Sequence, residues 1–236
     1  MTARNARPPA DIEAKVETKP LQIDLFADVV CPWCFVGSER LERVIAGSAG
    51  VVAGLVDRPV VVTHHPFFLN PGTPPDGDDI PAMLRRKYGV PPERLWARLE
   101  AEARKSELEL DLSKQRWSYP TARAHTLIRR AAAKGTQRAL VRALYSAYFQ
   151  QALNIHDADV LTAMAAPHGF DADEVARLTT DESALAETRE EARAAAAAGI
   201  DGVPFFVFGE RVAVAGAQPE SVLRSALEQA LATDSQ

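Results

Sequence analysis

The stretch Leu21-Gln22-Ile23-Asp24-Leu25-Phe26-Ala27-Asp28-Val29-Val30-Cys31-Pro32-Trp33-Cys34 decides the fold. Its first half alternates, with Leu21, Ile23, Leu25 and Ala27 on one face of a strand and Asp24 and Phe26 on the other. Beyond it, Cys34, Gly37, Leu41, Val44 and Ile45 recur at helical spacing to about residue 48. Pro32 falls where the first helical residue belongs, because the N–H that proline lacks would be unpaired there. The change of period therefore places Cys31 at the N-cap of a helix and Cys34 one turn in.

These are the two cysteines of the chain. Residues three apart on a helix have Cβ atoms roughly 5–6 Å apart, so a small adjustment closes a disulfide. The free N–H groups of a helix N-terminus favour a thiolate at Cys31. Cys34 lies on the apolar stripe and should be the more buried thiol. An exposed attacking sulfur and a sheltered resolving one make a redox pair. Two buried cysteines acting as small hydrophobes are the bland alternative, and half of a zinc site is another. Zinc needs four ligands, and no second Cys-x-x-Cys is present. His64 and His65 are neighbours on a strand pattern and point to opposite faces, so they do not complete one together. The spacing reads as redox, with no metal.

The 236 residues carry a net charge of -5 and are 47% hydrophobic. That suffices for a sizeable core and gives no general attraction to nucleic acid or acidic membranes. No basic stripe with interleaved aromatics is present. Residues 1–19 are polar, contain Pro8 and Pro9 and lack an apolar run, so they read as a tail without a secretory signal. No stretch is long and apolar enough to span a membrane. The expected location is the cytoplasm, where a cycling disulfide fits better than a structural one.

Further along, a loop with Gly50 and Gly54 leads to a second strand, Pro59–His65. Prolines and glycines punctuate 66–80 as a loop. Helices are predicted at 80–88, 91–107, 120–134, 136–152, 157–167, 171–178 and 181–198, with Asp171 and Glu174 as a capping box and Gly199 as the last stop. Strands return at Val203–Phe208 and Val212–Ala215 around a tight turn at Gly209-Glu210, before a helix at 219–232. The outer pieces, 20–70 and 199–236, make sense as one α/β sheet domain interrupted by a helical insertion at 71–198.

That order, with Cys-x-x-Cys opening the first helix, resembles a thioredoxin fold with a large all-helical insertion between its second and third strands. The chain is similar to the DsbA superfamily of thiol–disulfide oxidoreductases, and within it to the FrnE-like branch. The likeness rests on Asp28 to Cys34, Pro66-Phe67-Phe68-Leu69-Asn70-Pro71, Pro75-Asp76-Gly77, Ala124-His125 with Leu127, Ala143 to Phe149, Gly202-Val203-Pro204-Phe205-Phe206 and Gly216-Ala217-Gln218. It leaves out residues 1–19.

The resemblance implies that Val203-Pro204 is a cis peptide facing the cysteines. Pro204 would offer no N–H to the Cys31 sulfur, and the Val203 backbone would stay free to pair with an extended substrate. It also makes His125 a pocket candidate, beside a structural role for the same histidine. Phe67 and Phe68, with Trp96 and Trp117, supply apolar surface for a groove, or simply core. Asp24, or Asp28 nearer the turn, is a candidate to take the proton that Cys34 must lose, against the plainer role of a solvated or turn-capping aspartate. Trp33 should be exposed at the helix tip. It cannot give the thiolate what a histidine there would, so a less oxidising disulfide is expected than in exported oxidases with that histidine.

The leading function is exchange of disulfides with protein thiols or low-molecular-weight thiols, with no bound cofactor, glutathione as a conceivable co-substrate, and no nucleic-acid or membrane partner. The sequence leaves room for a homodimer. One alternative is a glutathione-dependent isomerase or transferase, similar to 2-hydroxychromene-2-carboxylate isomerases and kappa-class glutathione transferases. In those relatives a serine typically stands in the place of Cys31. A redox-linked, chaperone-like binding protein is the other.

Overall fold

β1 (Leu21–Ala27) is an inner strand of a four-stranded sheet, and its alternation is the reason. Leu21, Ile23, Leu25 and Ala27 are all buried, while the intervening residues are half-buried. The computed structural model describes residues 19–48 and 58–233. The tail assigned to 1–19, apart from Lys19, and the loop with Gly50 and Gly54 lie outside the described residues. α1 (Pro32–Ser48) follows β1, and β2 (Val60–Pro66) returns parallel to it, Ile23 opposite Val62 and Ala27 opposite Pro66.

The chain then leaves the sheet. It runs through β3 (Asp78–Asp79), α2 (Ile80–Tyr88), α3 (Pro92–Arg104), β4 (Trp117–Ser118), α4 (Ala122–Ala133) and α5 (Gln137–Tyr145). After α5 come α6 (Ala158–Ala165), α7 (Ala172–Thr180) and α8 (Glu182–Ala197). The sheet is completed by β5 (Phe205–Phe208) and β6 (Val212–Ala215), and α9 (Glu220–Thr233) closes the fold. β5 runs antiparallel to β1, and the strand order is β2-β1-β5-β6. Gly209 and Glu210 have φ of 58° and 60°, so the turn between β5 and β6 has the left-handed pair that a tight hairpin requires. Among the described residues no helix is long and apolar enough to cross a membrane.

The inserted segment is not wholly helical. β3 and β4 pair antiparallel, Asp79 opposite Trp117. Two-residue strands leave too short an alternation to be legible in sequence. Asp79 also caps α2, its carboxylate accepting the Ala82 N–H at 2.9 Å. Asp171 caps α7 by accepting the Glu174 N–H at 2.7 Å, but the Glu174 side chain reaches Lys134 instead of closing the reciprocal box.

The single helix predicted over 136–152 divides. α5 passes at Tyr145 into a π-helical turn, Ser146–Gln150. The wider turn moves Gln151 off the face shared by Leu140, Leu144 and Ala147, and turns Tyr148 and Phe149 into the core. There Phe149 and Tyr145 both stack on Phe35, the residue after Cys34.

Side chains tie the insertion to the sheet and to α1. Gln137 of α5 reads the edge of β2 like an extra strand, accepting the His64 N–H at 2.9 Å and donating to its carbonyl at 3.1 Å. Arg40 of α1, buried, donates to Ser106 Oγ at 2.8 Å and to Ala217 O at 2.7 Å, and pairs with Glu102 of α3 at 3.1 Å. A guanidinium taken out of water needs this many acceptors. They fix the pitch of the helix that carries the cysteines.

Candidate active site

Cys31 takes the N-cap of α1. Its N–H donates to the Asp28 carbonyl at 3.0 Å, and its own carbonyl accepts from Cys34 N–H at 3.0 Å and Phe35 N–H at 3.2 Å. This winding sets Cys34 one turn after Cys31, near enough for the Cys31 sulfur to influence its thiol. Both are free. Cys34 is fully buried. Burial first, then the Cys31 sulfur beside it, pushes its thiol well above the usual range, and a backbone contact from Asp28 offsets part of the rise.

Cys31 does not stand exposed as the sequence suggests. It is 4% accessible. The cover comes from a segment 172 residues away, since the Val203 carbonyl lies 4.0 Å from Cys31 Sγ. The Val203–Pro204 peptide is cis. Among the described residues neither the N–H nor the C=O of Val203 has a backbone partner. Pro204 itself is buried against α1. A Cβ on Gly37 would stand 2.9 Å from Pro204 Cγ and 3.2 Å from Phe206 Cζ, so glycine is what lets the helix approach this closely. Pro32 and Trp33 are half-buried, and Trp33 packs on the core instead of standing free at the helix tip.

The two candidate carboxylates separate. Asp24, on the face of β1 opposite Leu25, accepts from His65 Nε2 at 2.8 Å. The other ring nitrogen of His65 meets Glu191 of α8 at 2.9 Å. Burial, the largest single influence on His65, lowers its pKa, but the two carboxylates together outweigh it and raise it to about 9. Asp28 is the carboxylate beside the thiols. It is 1% exposed, lies 3.1 Å from His125 Nε2 and accepts the Leu69 N–H at 2.8 Å. Phe68 meets the His125 ring edge-on at 5.6 Å between centroids. So Asp28, His125 and Phe68 come together, while Phe67 continues the ladder by donating its N–H to the Ala27 carbonyl. His64 and His65 do face opposite ways, His64 inward. Among the described residues no group of three or more His, Cys, Asp or Glu side chains is placed to hold a metal.

A thiol pair capping the first helix of a β2-β1-β5-β6 sheet, opposite a buried proline, has a counterpart among known families. The model of the DSBA-like thioredoxin domain matches residues 22–228. The chain belongs to this family. A Streptomyces coelicolor structure named as a probable DsbA oxidoreductase is 32% identical, with 90% of each chain covered and a TM-score of 0.79. Two others show the shared fold alone. A 2-hydroxychromene-2-carboxylate isomerase is 15% identical over 91% of this chain and 98% of its own, at a TM-score of 0.70. The cytosolic disulfide reductase DsbM from Pseudomonas aeruginosa, solved with GSH, is 17% identical over the same shares, at 0.59.

Sequence reasoning about this DSBA-like chain missed Gly37 and Tyr145 as site residues. Gly37 carried a signal, a glycine inside a strong helical stripe three residues after Cys34. Tyr145 carried none beyond its place in an aromatic cluster, because only tertiary packing sets it against the turn that holds the thiols.

Proposed function

We propose that this protein is a thiol–disulfide oxidoreductase of the FrnE-like kind, working in the cytoplasm through Cys31 and Cys34. The observation that carries the reading is the pair of free thiols one turn apart at the N-terminus of α1, one wholly buried and the other capping the helix. Reduced Cys31 attacks a substrate disulfide. One substrate sulfur leaves as a thiol and the other stays bonded to Cys31. Cys34 then loses its proton and attacks Cys31 Sγ, and the substrate sulfur departs with the electron pair of the broken bond. The substrate is reduced and the Cys31–Cys34 pair oxidised; the reverse sequence oxidises a dithiol.

Asp28 is the group that takes the Cys34 proton in this reading, and His125 and Phe68 are positioning residues that hold its carboxylate. The backbone of Val203, without a backbone partner among the described residues, offers an edge to an extended segment. Residues 20–70 and 199–236 form the reacting domain, and 71–198 the cap that supplies His125. Substrates are protein disulfides or low-molecular-weight ones such as glutathione disulfide. The test is reduced Cys34→Ser mixed with glutathione disulfide. A stable adduct of one glutathione on Cys31 is expected, because the resolving step is lost. No adduct, with Cys31 freely alkylated, sinks the reading.

A further inference from the structure

A proton that reaches Asp28 needs a way out. The carboxylate is buried, and its oxygens are engaged by His125 and the Leu69 N–H. Two cavities open from this side of the site. A small one, about 10 Å³, is lined by Val29, His125, Ile128, His64, Val141 and Tyr145. That is room for about one water molecule. The last three of those residues also line a cleft of about 400 Å³ between α1 and α5. Ser38 and Ala139 line the cleft too, as do Glu42 with its ion-paired Arg138 and Glu39 with its ion-paired Arg142. The Arg142 side chain is largely exposed and marks the mouth.

Three buried polar atoms of these walls have no hydrogen-bond partner in the protein: Ser38 Oγ, His64 Nδ1 and the Tyr145 hydroxyl. Their residues are 8%, 6% and 1% exposed. The Ser38 and Tyr145 hydroxyls lie near enough to influence each other without hydrogen-bond geometry. Buried polar groups are nearly always satisfied by protein or water, and the three here face a cleft with room for water, His64 and Tyr145 facing the small cavity as well. Three such groups on one wall, beside a thiol pair, are a built path and not a packing defect.

Resting on the thiol-exchange reading, we propose that the α1–α5 cleft is the proton outlet of the active site, with Tyr145, His64 and Ser38 as its hydrogen-bonding wall. When Cys34 attacks Cys31 Sγ, its proton passes to Asp28. From there it moves along His125 to the water of the small cavity, and past Tyr145 and His64 to the cleft and solvent. Neither titratable residue of that wall, His64 or Tyr145, ionises. His64 is held down to about 3, by burial first and then by Arg138 and the neighbouring histidines. Tyr145 is pushed well above its ordinary value, by burial first and then by Cys34, Cys31 and Asp28. Each stays neutral and relays by accepting and donating.

The test is single-turnover reaction of the full reduced chain with glutathione disulfide, following adduct formation and its resolution separately, in H2O and D2O and across pH. Tyr145→Phe removes the hydroxyl and keeps the ring stack on Phe35. Ala139→Trp fills the cleft from an exposed helix position. Both are expected to leave adduct formation unchanged and to slow resolution about tenfold, with a larger solvent isotope effect and a flatter pH profile. Resolution at the wild-type rate in either variant overturns the outlet while leaving thiol exchange standing. Failure of the wild type to form any adduct removes the thiol-exchange reading, and the outlet with it.

Discussion

His125 Nε2 sits 3.1 Å from Asp28 Oδ1, joining the turn that leads into Cys31 to a helix of the insertion. The two residues are 97 apart in sequence, and both are buried. The carboxylate beside the two thiols is thus held by a helix of the insertion, so the insertion contributes a residue to the site.

Asp28→Asn should separate thiol acidity from proton removal. Burial is the main reason the Cys34 thiol stands high, and the Cys31 sulfur comes next. The Asp28 charge adds to the rise. Asparagine removes that charge, so the Cys34 thiol becomes more acidic. It also removes the group proposed to accept the proton, and a positioned acid–base group is worth about 10² or more in rate. The variant is expected to resolve a Cys31 adduct about a hundredfold more slowly despite its more acidic thiol. Faster resolution would show acidity to be limiting and would strip Asp28 of its role.

Gly37→Ala tests the approach of α1 to Pro204. The added methyl would meet Pro204 Cγ at 2.9 Å, a buried ring with little freedom to give way. Overpacking of this kind costs about 1–3 kcal/mol, offset by up to about 1 kcal/mol of helix propensity. A net loss of about 1 kcal/mol in chemical denaturation is expected, with slower adduct formation at Cys31 as the Val203–Pro204 segment is pushed aside. Unchanged stability together with unchanged kinetics would mean that the contact relaxes freely.

Most of this architecture was legible because local pattern and tertiary role agree. β1 alternates over its full length, and the 80–88, 203–208 and 212–215 patterns lie on or near the observed elements. The cysteines announced themselves through spacing and Pro32. What stayed hidden depends on contacts across long separations. Cys31 is covered by Val203, and Asp28 is held beside the thiols by His125 and Leu69, none of them neighbours in sequence. Asp24 looked equally suitable because strand periodicity cannot reveal that His65 waits across the sheet for it. The π-helical turn after Tyr145 breaks no residue-level rule, so the 136–152 pattern read as one helix.

Trp33 stands between the cysteines with no charge on its side chain, and its ring packs on the core. Trp33→His should stabilise the reduced pair, because a hydrogen bond to a charged sulfur contributes about 1.5–3 kcal/mol. For a two-electron couple about 1.4 kcal/mol corresponds to 30 mV. The variant's potential, measured in glutathione redox buffers, is expected to rise by about 30–60 mV. A potential that falls or stays put would mean that residue 33 does not reach the thiolate.

His64 and His65, adjacent on β2, should bend the stability curve in opposite directions. His64 is held down to about 3 by burial first and by nearby cations. Its ordinary value, and that of the unfolded chain, is 6.5, so between the two the unfolded state binds more protons and stability is lost as pH falls. The full effect is on the order of 5 kcal/mol. For His65 the sign reverses. Burial alone would lower it, but Asp24 and Glu191 together raise it to about 9. Between 6.5 and about 9 the folded state binds more protons, so its contribution is complete below 6.5 and is lost as pH rises through 9. Partial exposure reduces that contribution to about 1–2 kcal/mol. The melting temperature should therefore peak near pH 6.5, His65→Gln should flatten the alkaline limb, and His64→Gln the acid limb. A melting temperature that climbs steadily from 6.5 to 9 in the unaltered chain would contradict the charged Asp24–His65–Glu191 bridge.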